Sequence, residues 1–184
     1  MDEAVLLMRA RDGDQRAFAD LASAHRNQIW AVCLNICGNP HDAEDALQNT
    51  LVAAWQNLHK FRGEARFSTW VHRIAANNAL SVVRRRKPNT QLTDFTDPDQ
   101  PVELVDDDGS PAFDEQLALR DAVRDALAQL SDDFREVIVL REFGDLTYAD
   151  IAAHQGVPVQ TVKSRLNRAR AQLAEIMQDR ISSV

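Results

Sequence analysis

The residues of this sequence that could do chemistry are cations and amides rather than nucleophiles. Between Ile151 and Ala174 the chain carries Lys163, Arg165, Arg168 and Arg170 and no acid at all. At helical spacing Gln160, Thr161, Ser164, Arg165 and Arg168 share one face, with Lys163 on its flank. Gln and Arg can each make paired hydrogen bonds to a purine edge, while Thr and Ser give more tolerant contacts. Lys163 and Arg170 are better placed for phosphates. A merely solvated face interleaves acids with bases, and this one does not. A second cationic stretch runs from His59 to Phe67 and holds Lys60, Arg62 and Arg66; the helix after it carries Trp70, Arg73 and Asn77 and ends in Arg84-Arg85-Arg86-Lys87. Cations at a helix C-terminus complement its dipole, but four in a row exceed what capping needs and suit phosphate contact.

Other chemistries lack their groups. There is no Gly-rich phosphate loop, metal-ligand cluster or nucleophile motif, and the five histidines are scattered, so no enzyme, cofactor or metal is expected. Cys33 and Cys37 lie four apart beside Ile29 and Ile36, which predicts core packing; a redox or metal role needs further ligands that His25 and His41 do not supply in zinc spacing.

The elements that must hold these groups are helical. Almost no segment alternates with period two, so the expected fold is all-α. From Asp14 to Ile36 apolar residues follow three/four spacing; Gly38-Asn39-Pro40 breaks that helix, with Asn39 a candidate N-cap and Pro40 in the first turn. The next helix buries Ala43, Ala46, Leu47, Leu51, Ala54, Trp55 and Leu58, and turns Asp42, Asp45, Gln48 and Asn49 outward. Ser68 or Thr69 is expected to cap the helix with Val71, Ile74, Ala75 and Val82 inside. Leu119, Val123, Ala126, Leu127 and Leu130 line a later helix. The next, about Asp132 to Phe143, is capped by Ser131 and buries Phe134, Val137 and Ile138.

Charge divides the chain. The formal net charge of −7 splits into +3 for residues 1–88, −9 for residues 89–116, which hold no Lys or Arg, and −1 for residues 117–184. Four prolines and Asp106-Asp107-Asp108 mark a flexible acidic linker. The expected division is therefore a helical bundle at 1–88, a linker at 89–113 and a second helical unit at 114–184. No run of residues approaches the ~20 apolar positions needed to span a bilayer, and the acidic N-terminus does not read as a signal peptide. A cytoplasmic protein without membrane insertion is expected.

Within the last unit, Thr147 to Asp150 has the form of a capping box, and Gly156 suits a left-handed turn. Pro158 starts a helix whose stripe is Val162, Leu166, Ala169 and Leu173. This is a helix-turn-helix pattern, in which the second helix enters the major groove of duplex DNA.

Several motifs, in order and with matching gaps, resemble the ECF (extracytoplasmic function) group of bacterial RNA polymerase sigma factors. They are Asp42 to Thr50, Phe67 to Asn77, Leu130 to Val139 and Tyr148 to Leu173, above all Thr161-Val162-Lys163-Ser164-Arg165-Leu166 followed by Arg168-Ala169-Arg170. Pro158 and Asn49-Thr50 depart from residues common in the family. The resemblance implies a sigma region 2-like bundle and a sigma region 4-like helix-turn-helix domain. It implies that Asp42, Asp45, Gln48 and Asn49 face the clamp helices of polymerase's largest catalytic subunit, although Asp42 also suits a helix's first turn. It implies that Lys60, Arg62, Arg66, Trp70, Arg73, Asn77 and Arg84 to Arg86 capture the opened −10 strand, with Trp70 either stacking on a base or packing inside. Gln160, Thr161, Lys163, Ser164, Arg165, Arg168 and Arg170 would read the −35 duplex. Implied partners are core RNA polymerase, including the flap of its second-largest subunit, promoter DNA and a cognate anti-sigma factor. The competing reading is a stand-alone helix-turn-helix regulator, which would bind half-sites without polymerase.

Overall fold

The computed structural model describes residues 2–86 and 111–182, with side chains described for 2–86 and 117–180. The described secondary structure is helical throughout. The acidic linker expected at 89–113 lies outside the described residues up to position 110.

Local chemistry sets the N-terminal bundle. Helix α1 (Glu3–Arg11) turns into α2 (Gln15–Cys37) at Asp14, whose Oδ1 accepts from the amides of Arg16 and Ala17 at 3.0 and 3.1 Å. Helix α2 ends at Gly38, which takes the left-handed φ of 80° that glycine tolerates best. Asn39 then caps α3 (Pro40–Asn57), accepting from the Asp42 amide at 2.9 Å, with Pro40 in the first turn. A 3-10 turn (Leu58–Lys60) leads into the basic loop and on to α4 (Phe67–Arg86). The faces of α2, α3 and α4 enclose a core around Ile29, Val32, Ile36, Leu47, Val71 and Ala79. Helix α4 starts at Phe67, so Ser68 and Thr69 sit inside its first turn rather than capping it, and Thr69 is buried. Leu51, Ile74 and Val82 are only partly buried against this core, and Trp55 is half-buried.

The C-terminal unit comprises α5 (Pro111–Ala128), α6 (Asp132–Glu142), α7 (Tyr148–Gln155) and α8 (Val159–Ser182). Helix α5 begins three residues before the expected start of this unit. Leu119, expected inside, is 57% exposed; the inward stripe begins instead at Val123, partly buried, and continues through Ala126, Leu127 and Leu130. Ser131 occupies the N-cap of α6 but makes no side-chain cap bond there. Two charged residues of α6, Arg135 and Glu136, are buried where the pattern showed only an apolar stripe.

Arg135 explains its own burial. Its guanidinium donates to the carbonyls of Leu127, Ala128 and Leu130 at 2.9, 2.7 and 3.1 Å, and to that of Ile36 at 3.0 Å. It thus satisfies the open carbonyl ends of α5 and of α2 together, favourable positions for a cation. Through this contact and others along α4, the two helical units meet in a seam.

Candidate nucleic-acid and polymerase interfaces

Helix α8 is positioned by the turn before it. Thr147 and Asp150 form a reciprocal capping box on α7: Thr147 Oγ1 accepts from the Asp150 amide at 3.1 Å, and Asp150 Oδ2 accepts from the Thr147 amide at 3.2 Å. Gly156 adopts φ 65°, ψ 34°, and its amide donates to the Ala152 carbonyl. Val162, Leu166 and Ala169 are buried, so the other side of α8 must face out. Gln160, Lys163, Arg168 and Arg170 are exposed, while Thr161, Ser164 and Arg165 are half-buried. Asn167, exposed between Ser164 and Arg168, joins this surface; its polarity was the only sequence signal for it.

The cations on this helix do different things. Arg165 is 24% exposed and bound within the domain: its guanidinium donates to Gln155 Oε1 at 2.9 Å and pairs with Asp133 Oδ2 at 2.9 Å. Gln155 in turn donates to Glu136 Oε2 at 2.8 Å, and His154 Nε2 lies 2.8 Å from Glu136 Oε1. The buried Glu136 carboxylate therefore ties α7 to α6, and Gln155 and Arg165 extend the tie to α8. Charged groups buried this way hold geometry because breaking any link strands a partner. Arg170 pairs with Glu142 at 2.6 Å, which raises its pKa further. Lys163 and Arg168 remain exposed, where a polyanion can reach them.

In the N-terminal unit, the loop is anchored by aromatic rings. Phe61 and Phe67 are buried and pack with Trp70 at centroid distances of 5.3 to 6.1 Å. Trp70 is thus a packing member of this cluster while staying partly accessible. Arg62 and Arg66 project from the loop, and Lys60 is exposed with its Nζ on Asn57 Oδ1 at 3.0 Å. Asn77, Arg84 and Arg85 are also exposed on α4. Arg73 differs: it is 29% exposed and bound to Asp150 at 2.9 Å.

On α3, Asp45, Gln48 and Asn49 face outward. Asp42 faces outward less fully, at 20% exposure, because it accepts from Asn39 Nδ2 at 2.8 Å and pairs with Arg86 at 3.2 Å. Beside Asn49 a shallow cleft of about 220 Å³ runs between α3 and α4. Cys33 and Cys37 are free and buried, and burial pushes both thiols up to about 12, which suppresses thiolate chemistry. No described helix is long and apolar enough to cross a membrane.

These features define a sigma-70-type protein, and comparison with known proteins agrees. Residues 21–88 match sigma-70 region 2, and residues 120–173 match sigma-70 region 4. The chain belongs to the ECF group of RNA polymerase sigma factors. It is 31% identical to the ECF RNA polymerase sigma factor SigW of Bacillus subtilis, over 94% of this chain and 95% of that protein. It is 34% identical to the RNA polymerase sigma-H factor of Pseudomonas aeruginosa, over 94% and 92%. It is also similar to the solved structure of CnrH in complex with the cytosolic domain of CnrY (TM-score 0.68, 27% identity, 95% and 96% covered). A comparable match is the sigma factor RpoE in complex with the anti-sigma factor NepR from Bartonella quintana (TM-score 0.68, 26% identity, 88% and 96% covered).

Proposed function

We propose that this chain is a dissociable promoter-specificity subunit without catalysis of its own. It binds core RNA polymerase and grips promoter DNA at two places. The observation that carries the reading is the pairing, in one ECF-type chain, of an exposed reading helix, α8, with a second basic surface on the loop before α4. Lys163, Arg168, Gln160 and Asn167, with Thr161 and Ser164, serve the −35 duplex, and Arg165 braces the helix that presents them. Arg62, Arg66 and Asn77, with Arg84 and Arg85, serve the −10 strand. Cations that follow a backbone beside a half-exposed aromatic ring, here Trp70, suit single-stranded nucleic acid.

Asp45, Gln48 and Asn49 form the polymerase-facing ridge with the neighbouring carboxylate of Asp42, since an acidic ridge complements a basic helical partner. An anti-sigma factor is the expected regulator, supported by the RpoE relative solved with one. The test is to mix the purified chain with core polymerase, follow co-migration, and run off transcripts over genomic fragments. Discrete transcripts that require both components are expected; absence of core binding refutes the reading. A stand-alone regulator would instead bind duplex half-sites tightly without polymerase.

A further inference from the structure

His25, midway along α2, is a polar ring in an apolar place. Its side chain is 13% exposed, and its ring lies against that of Phe67, with centroids 5.5 Å apart and planes at 51°. Its Nε2 lies 3.1 Å from Glu3 Oε2 on α1; a carboxylate accepts, so Nε2 carries the hydrogen. One side chain of α2 thus joins α1 to the start of α4.

Phe67 is both the first residue of α4 and the end of the basic loop. Phe61 stands at the loop's other end, and the two buried rings meet edge to face at 6.1 Å and 85°. Between them Arg62, Gly63, Glu64 and Arg66 are exposed, and Gly63 takes a left-handed φ of 77°. An exposed segment of this kind has little packing of its own, so its ends set its position. Trp70, one turn along α4, rests on both rings, 5.3 Å from Phe61 and 5.8 Å from Phe67. The ring that a base would meet is therefore oriented by Phe67, and His25 reaches Phe67 from another helix.

We propose that His25 is a positioning residue for strand capture: its ring, oriented by Glu3, clasps Phe67 and so fixes the Arg62–Arg66 loop and Trp70 before DNA arrives. The proposal rests on the reading of that loop as the −10 strand grip. A single strand is flexible, and a reader that must order itself on binding loses affinity. A loop tied at both ends meets the strand with Arg62, Arg66 and Trp70 already in place. Glu3 is half exposed, so the Glu3–His25 pair adds little energy of its own; its part is to hold the imidazole's orientation. Packing on Phe67 carries the effect, and for that a ring of another polarity suffices. Helix α1, which supplies no residue to either grip, gains a part in promoter reading through Glu3.

The test compares His25→Ala, His25→Leu and His25→Phe in the full chain. Alanine removes the ring, leucine keeps its volume without a ring, and phenylalanine keeps a ring without the bond to Glu3. Affinity for a short, labelled, mixed-sequence single-stranded oligonucleotide should fall about three- to tenfold in the alanine and leucine variants, the cost of ordering one or two side chains on binding. The phenylalanine variant should bind like wild type, and duplex affinity, which α8 supplies, should stay unchanged in all three. Wild-type strand affinity without the ring, no rescue by phenylalanine, or a matching loss of duplex affinity overturns the proposal.

Arg62→Ala/Arg66→Ala is measured alongside. If it binds the strand as wild type does, or if wild type binds no strand, the strand reading of the loop fails instead. The clasp is then judged without DNA by trypsin, which cuts after arginine in loosened segments. Relative to cuts elsewhere in the chain, cleavage after Arg62 and Arg66 should run severalfold faster in His25→Ala than in wild type, and at the wild-type rate in His25→Phe. Equal relative cleavage in wild type and His25→Ala overturns the clasp.

Discussion

Two arginines, one turn apart along α8, were indistinguishable as letters and are opposite in behaviour. Arg165 and Arg168 share a face by spacing, but Asp133 and Gln155 reach Arg165, whereas Arg168 is exposed. Arg168→Ala should therefore weaken −35 duplex binding by about 1–3 kcal/mol if it contacts a base, or lower the salt dependence by about one ion if it contacts a phosphate. Its thermal stability should stay unchanged. Arg165→Ala should weaken DNA binding and also lower the melting temperature, because Gln155 and Asp133 lose a partner. Glu136→Gln tests the same brace from its buried end. Removing that charge should cost about 1–3 kcal/mol of stability, read by denaturant unfolding. Neither Glu136 nor Arg135 was legible as a buried charge, since their partners are backbone carbonyls and side chains from other helices. Spacing shows which face a residue occupies; it does not show what approaches that face.

Helices and their ends were the most legible level, because caps are local chemistry. Asn39 with Pro40, Thr147 with Asp150, and Gly156 act within four residues of themselves, and each acts in the structure as its type predicts. Failures came where packing decided. Leu119 fits a helical stripe by letter but lies on the outer side of α5, and α4 begins ahead of the two residues expected to cap it. Gly156→Ala should destabilise the C-terminal unit by about 1 kcal/mol, since alanine disfavours a φ of 65°. Thermal unfolding would show this as a drop of several degrees, and a neutral result would mean that the turn can relax. At this level Cys33 and Cys37 are core-packing residues of α2. Thiol reagents should label them only as the protein unfolds.

At the scale of the molecule, the separate units were legible from charge and proline, and their seam was not. Arg73 and Asp150 are 77 positions apart, and no local pattern couples them. The seam also makes the fold sensitive to acid. Burial, the largest influence, lowers the pKa of His72 below its ordinary 6.5, with the Gly144 carbonyl opposing and His25 of α2 adding to the effect; Asp145, after α6, opposes weakly. The folded form therefore binds fewer protons than the unfolded one. The His72 contribution is complete above about pH 6.5 and is lost as pH falls through that value toward the lowered one. His72→Asn should flatten the decline in melting temperature between about pH 6.5 and 5.5; an unchanged slope would assign it to other groups.

The central claim, two grips in one polymerase subunit, is tested most directly by run-off transcription with core polymerase. Wild type, Arg168→Ala and Arg62→Ala/Arg66→Ala are compared while core binding is measured alongside. Transcript should fall severalfold or more in both variants, with core binding unchanged. Full transcription by either variant, or loss of core binding along with transcript, would contradict the assignment of these two surfaces to DNA.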